Sequence, residues 1–173
     1  MEPVKKVVFI TGGARSGKSS FALELASRMA GRKVFAATCR PLDAEMRARV
    51  EAHRADRARR GQGWETREET LDVAGVISAA PDGVVLVDCL TLWLSNVMLA
   101  GRDVGAEVEG LLSAVARAGA SVVLVSNEVG MGIVPEGELS RRFRDHAGWL
   151  NQRAAAMAGE AYLVVAGVPL RLK

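Results

Sequence analysis

Five short apolar runs rich in β-branched residues punctuate the chain: Val4–Thr11, Val34–Thr38, Val84–Asp88, Ser121–Ser126 and Ala161–Ala166. Each has the length and composition of a strand. Three are nearly continuous Val/Leu/Ile runs, as parallel strands covered on both faces require. The segments between them are long enough for crossover helices, so the pattern predicts an α/β fold with right-handed connections. A last run, Val168–Leu172, contains Pro169. Proline cannot donate to a central ladder, which suits an edge strand, with antiparallel pairing admissible.

Helical spacing is clear in two segments. After Asp88, the residues Leu90, Trp93, Leu94, Val97 and Met98 share one face, which makes Trp93 a core residue. Between Glu138 and Gly159, the residues Leu139, Phe143, Leu150, Ala154 and Met157 do the same, and His146 falls within that stripe, where a core role is expected. Gly61 to Ala80 is the least regular stretch and reads as a loop, a short strand near Trp64–Thr66 and a short helix. Without repeats, linkers or low-complexity tracts, residues 1–173 are expected to form a single domain.

The first strand runs into Gly12-Gly13-Ala14-Arg15-Ser16-Gly17-Lys18-Ser19, which matches G-x-x-x-x-G-K-[ST] at every fixed position, and a helix-like run follows from Ser20 to Ala30. Strand, loop and helix are thus in the register of a phosphate-binding loop. The glycines let backbone N–H groups turn inward around phosphate oxygens, and the helix N-terminus faces the anion with a partial charge of roughly +0.5. Lys18 is expected to reach the β- and γ-phosphates, and the Ser19 hydroxyl to ligate Mg²⁺. The fold class that results is P-loop NTPase-like, a mainly parallel central sheet with helices on both faces.

Composition narrows the function. The 173 residues are 49% hydrophobic and 25% charged, with a net charge of +3, as in an ordinary globular domain. Basic residues concentrate between Arg40 and Arg60, but no aromatic residue is interleaved there to stack a base, which argues against a nucleic-acid platform. The two cysteines, Cys39 and Cys89, each follow a predicted strand and have no metal-ligand spacing, so reduced, partly buried thiols in a cytoplasmic protein are expected. The apolar run after Lys5 and Lys6 is too short for a signal peptide, and no stretch approaches the about 20 residues of a membrane span.

Val84–Asp88 ends in a carboxylate, like a Walker B strand. Asp88 has two readings, a magnesium contact beyond the carboxyl end of its strand or a helix N-cap. Regulatory GTPases are disfavoured, because Asp88-Cys89-Leu90-Thr91 stands where D-x-x-G would be and no N-K-x-D sequence occurs. His53 also has two readings. It shares an apolar stripe with Leu42, Met46 and Val50, yet Arg54, Asp56 and Arg57 follow it, and cations beside an imidazole suit a nucleophile that attacks phosphorus.

Several strings together resemble one family. The phosphate loop, Asp43-x-Glu45-Met46-x-x-Arg49 leading to His53, and Asn127-Glu128-Val129-Gly130-Met131-Gly132-Ile133-Val134-Pro135 are similar to those of bifunctional adenosylcobinamide kinase / adenosylcobinamide-phosphate guanylyltransferases of cobalamin synthesis. Phe143-Arg144-Asp145 and Gly148-x-x-Asn151-Gln152-Arg153 continue the likeness to the last strand. The resemblance implies phosphorylation of adenosylcobinamide, with ATP or GTP as donor. Transfer of GMP from GTP then follows through a guanylyl-histidine at His53, giving adenosylcobinamide-GDP. It implies nucleotide contacts from Gly12, Gly13, Ala14, Arg15, Ser16, Gly17, Lys18 and Ser19, from Ala37, Thr38 and Cys39, from Arg54, Ala55, Asp56 and Arg57, and from Glu68 and Asp88. Lys18 and His53 would be catalytic, Ser19 and Asp88 would hold Mg²⁺, and the family forms a homotrimer. Arg54 and Ala55 stand where lysine and glycine are expected, Cys39 where serine is common and Asp88 where glutamate occurs. The Asn127–Pro135 loop reads equally as a structural turn or as a cover over nucleotide or corrinoid, with Glu128 as a polar contact. The alternatives to this reading are a plain P-loop metabolite kinase without a covalent intermediate and a non-catalytic nucleotide-binding module.

Overall fold

The computed structural model describes residues 5–40, 48, 51, 55 and 63–173. In its first half, Val7–Gly12 forms β1, Lys18–Ser27 α1, Lys33–Ala37 β2, Trp64–Glu68 β3 and Val73–Ser78 α2. Val84–Asp88 forms β4, Leu90–Leu99 α3, Val104–Arg117 α4 and Ser121–Val125 β5. Glu138–Met157 is α5, Glu160–Val165 β6 and Val168–Arg171 β7. The strands make one sheet in the order β3-β2-β4-β5-β1-β6-β7. All neighbours are parallel except β6 and β7 at the edge, which are antiparallel. This is the α/β, P-loop-type arrangement anticipated from the pattern of apolar runs.

The central strands are buried on both sides, and their side chains sort by the two-residue period of a strand. Phe9, Val85, Val87, Val122 and Leu124 point into the core beneath α2–α5. Their neighbours Val8, Ile10, Val84, Leu86, Val123 and Val125 point the other way, onto Ala22, Leu23 and Ala26 of α1. Trp93 is 1% exposed, and its indole N–H donates to the Leu71 carbonyl at 2.8 Å. Helix ends are set locally. Asp103 caps α4 by accepting from the Ala106 N–H at 3.0 Å, while Glu107 in the first turn and Arg117 in the last complement the helix dipole.

The irregular Gly61–Ala80 stretch resolves, where described, into β3 and α2. Trp64 starts β3 and meets Phe35 of β2 edge-on, with ring centroids 6.3 Å apart. Several strand bounds shift by one residue from the sequence reading, and Val4, the expected start of the first strand, lies outside the described residues. Ala166 leaves the strand, because with Gly167 it forms the β6–β7 turn at φ 51° and 83°, the geometry a two-residue hairpin needs.

Two expectations for α5 are overturned. Leu139 is 54% exposed, and His146 is only half-buried, edge-on to the exposed ring of Trp149 at 5.5 Å. The reason is where α5 lies. Asn151 is level with the carboxyl end of β5, since its side-chain amide donates to the Asn127 carbonyl at 3.2 Å. The turns before it therefore reach past the sheet, and burial begins only at Ala147. Among the described helices, none is long and apolar enough to cross a membrane.

At the opposite, amino-terminal end of the sheet Gly83 is tightly confined. Its φ is 78°, and a Cβ there would sit 2.0 Å from the Arg32 carbonyl oxygen. The left-handed conformation and the overlap together are expected to make Gly83→Ala cost about 2–4 kcal/mol, read as a lowered midpoint in urea at unchanged slope.

Candidate active site

The phosphate loop follows β1 directly and is shaped by positions that turn the backbone inward. Arg15 (φ 55°) and Gly17 (φ 94°) are both left-handed, which brings successive N–H groups to one side of the loop. Gly12 has no room for a side chain, since a Cβ would lie 2.4 Å from the Val164 carbonyl oxygen and 2.7 Å from Ser16 Oγ. The β6–β7 turn braces the far side, where the Gly167 N–H donates to the Ser16 carbonyl at 2.8 Å. Gly17 precedes the first residue of α1 and makes no side-chain cap, so the helix presents bare N–H groups to the loop.

Lys18 is 7% exposed, and its ammonium donates to the Gly13 carbonyl at 2.9 Å. Burial pushes its pKa down, opposed by the neighbouring Cys89 sulfur and the Asp88 carboxylate. Burial also lifts the Cys89 thiol to about 12, which leaves Asp88 as the carboxylate beside Lys18 that opposes its desolvation. Ser16 Oγ and Thr11 Oγ1 are buried with no hydrogen-bond partner among the described residues. Buried hydroxyls of this kind need a partner, and the oxygens of an anion in the loop would supply one.

The other sequence-predicted residues line up along the carboxyl end of the sheet. Glu68, Ala37 and Asp88 are paired across β3, β2 and β4, and Asp88 pairs in turn with Val125 of β5. Because β5 intervenes between β4 and β1, Asp88 is two strands from β1, roughly 10 Å, and Glu68 four strands, roughly 19 Å, at the usual strand spacing. Glu68 is exposed and Asp88 half-buried. Thr38 is fully buried, and its hydroxyl donates to the Cys89 carbonyl and accepts from the Cys89 N–H, both at 2.7 Å. That side chain ties β2 to β4, with Ala37 and Cys39 half-buried on either side of it. His53, Arg54, Asp56 and Arg57 lie outside the described residues; Ala55 is helical and exposed.

A polar group at the end of β5 escapes sequence reading. The Thr91 hydroxyl accepts from the Asn127 N–H at 2.6 Å and lies 3.2 Å from Ser126 Oγ. The Glu128 N–H donates to the Gly12 carbonyl at 3.0 Å. Asn151 completes the group through Asn127, and its Oδ1 is a third buried atom without a partner among the described residues. The usable signal was the string Gly148-x-x-Asn151, where a carboxamide stands beside Leu150 on an apolar stripe.

Ser19, half-buried in the first turn of α1, and Asp88, the last residue of β4, both bring oxygen donors to the same end of the sheet, as the pair of donors expected for Mg²⁺. Among the described residues no cluster of three or more His, Cys, Asp or Glu could hold a metal alone. A magnesium ion carried in by phosphates needs only one or two protein oxygens, and this pair fits that need. A cavity of about 430 Å³ lies instead at the amino-terminal end of the strands, around Lys6, Arg28, Asp82 and Glu160. It is remote from the phosphate loop, and its Lys6–Glu160 ion pair closes at 3.0 Å.

Residues 8–172 match the family described as cobinamide kinase / cobinamide phosphate guanyltransferase. The chain is 43% identical over 168 residues to the bifunctional adenosylcobalamin biosynthesis protein CobP of Pseudomonas aeruginosa, with 95% of each chain covered. It is 40% and 41% identical to the proteins named bifunctional adenosylcobalamin biosynthesis protein CobU from Salmonella typhimurium and Escherichia coli, covering 96% of this chain and 99% of each relative. With a match of that extent, and a phosphate loop built as described, the chain belongs to the cobinamide kinase / cobinamide phosphate guanyltransferase family of transferases.

Proposed function

We propose that this protein phosphorylates the aminopropanol hydroxyl of adenosylcobinamide and then transfers GMP from GTP onto that phosphate, in cobalamin nucleotide-loop assembly. The observation that carries the reading is the phosphate loop itself: two left-handed residues, a buried lysine with the Asp88 carboxylate beside it, and two buried hydroxyls without a partner among the described residues. The row from β1 to Glu68 has a span comparable with an extended nucleoside triphosphate, phosphates in the loop and base toward β3. Magnesium held by Ser19, Asp88 and phosphate oxygens would neutralise charge on the triphosphate.

The transferase half proceeds by two displacements. An imidazole nitrogen of His53 attacks the α-phosphorus, the bond to the β-phosphate oxygen breaks, and pyrophosphate leaves toward Lys18 and the loop amides. A phosphate oxygen of adenosylcobinamide phosphate then attacks the same phosphorus, the N–P bond breaks, and adenosylcobinamide-GDP forms. Dividing the transfer lets one small site take two bulky substrates in turn. A homotrimer in the cytoplasm is the assembly and setting that accompany this reading.

The test is covalent labelling with α-labelled GTP and Mg²⁺, followed by denaturation. An acid-labile, base-stable label is expected on the wild-type protein and none on His53→Ala. Label retained without His53 would overturn the nucleophile. Phosphate transfer without any label would instead favour a plain kinase.

A further inference from the structure

We infer that Glu128 is the general base of the phosphorylation half-reaction, accepting the proton of the acceptor hydroxyl; the inference rests on the kinase reading above. The two half-reactions make different demands. An alcohol must lose a proton as it attacks the γ-phosphorus, whereas the acceptor of the second half-reaction is already a phosphate anion. Only the first needs a base beside the phosphate loop.

The sheet order decides which carboxylate can stand there. β5 is the strand next to β1 on the side of β4, so residues just beyond β5 are the loop's nearest neighbours on that side. Glu128 is three residues beyond the end of β5, and its own N–H is bonded to the Gly12 carbonyl. Among the described residues no other carboxylate-bearing residue has its backbone bonded to the phosphate loop. Glu68 is four strands away, and Asp88, two strands away, is set against the charge of Lys18.

The Glu128 side chain is half-buried, and one oxygen, Oε1, accepts from the Gly130 N–H at 2.7 Å. That bond closes a tight turn and holds the carboxylate in place, and among the described residues no hydrogen bond engages Oε2. The loop then turns outward with Met131 82% and Ile133 96% exposed, and Val134 exposed beside them. Three apolar side chains standing in solvent next to a fixed carboxylate suit an acceptor that couples a large, partly apolar body to a hydroxyl arm. In the step, the hydroxyl oxygen bonds to the γ-phosphorus and the bond to the β-phosphate oxygen breaks. The proton passes to Glu128, and the nucleoside diphosphate departs.

Glu128→Gln separates this role from a structural one, because the amide oxygen can still accept from Gly130 but cannot take the proton. Each half-reaction is assayed alone, the second on supplied adenosylcobinamide phosphate. Phosphorylation kcat is expected to fall about 100-fold or more, with guanylyl transfer and GTP affinity within about twofold of wild type. Unchanged phosphorylation would overturn the assignment. Parallel loss of both half-reactions would also overturn it, by showing that Glu128 only shapes the loop. A wild-type protein that does not phosphorylate, with or without guanylylation, would remove the kinase reading and this inference with it, whereas failure of the Glu128 assignment alone shows only in the variant.

Discussion

Lys18→Ala is expected to lower kcat/KM of both half-reactions by about 10²–10³-fold, the effect of removing one preorganised charge contact from a reacting phosphoryl group. The ammonium is buried and held against the Gly13 carbonyl, so it is in place before nucleotide arrives. Steady-state kinetics of each half-reaction, with nucleotide affinity measured alongside, checks the prediction. Guanylylation at the wild-type rate would require a second nucleotide site elsewhere on the molecule.

The largest effect on stability is expected from Trp93→Ala. The indole fills the core between α3 and the sheet, fully enclosed, and its N–H serves the Leu71 carbonyl. Truncation leaves a cavity and an unserved carbonyl together, for a loss of about 3–5 kcal/mol. For a chain of this size that corresponds to a melting temperature lower by about 6–20 °C, measurable by calorimetry. Trp93→Phe should recover most of the packing but not the hydrogen bond, and so fall between the two.

Much of the architecture was legible because burial on both faces writes an unambiguous signal. Val84–Asp88 and Ser121–Val125 are apolar on both sides of the pleat, and no other structure explains such runs so simply. Strand order was not legible, since periodicity records which faces are buried and not which strands are neighbours. The interposition of β5 between β4 and β1, which brings Asn127 and Glu128 to the phosphate loop, therefore emerged only from the structure. Leu139 and His146 were misread for a related reason. Helical spacing is continuous through α5, but the sheet ends level with Asn151, and an apolar stripe that outruns its partner stays exposed. Side-chain partners are a third limit: the bonds of the Thr38 hydroxyl to the Cys89 backbone join residues 51 positions apart, which no local pattern records.

The brace between Gly167 and Ser16 joins segments from opposite ends of the sequence. A nascent chain that has emerged only through β5 already carries the glycine-rich loop, but it lacks both the Val164 carbonyl against which Gly12 is fitted and the amide that holds Ser16. The glycine-rich loop, though among the first segments of the chain, is therefore given its final support by nearly the last, and a change in the β6–β7 hairpin reaches it directly.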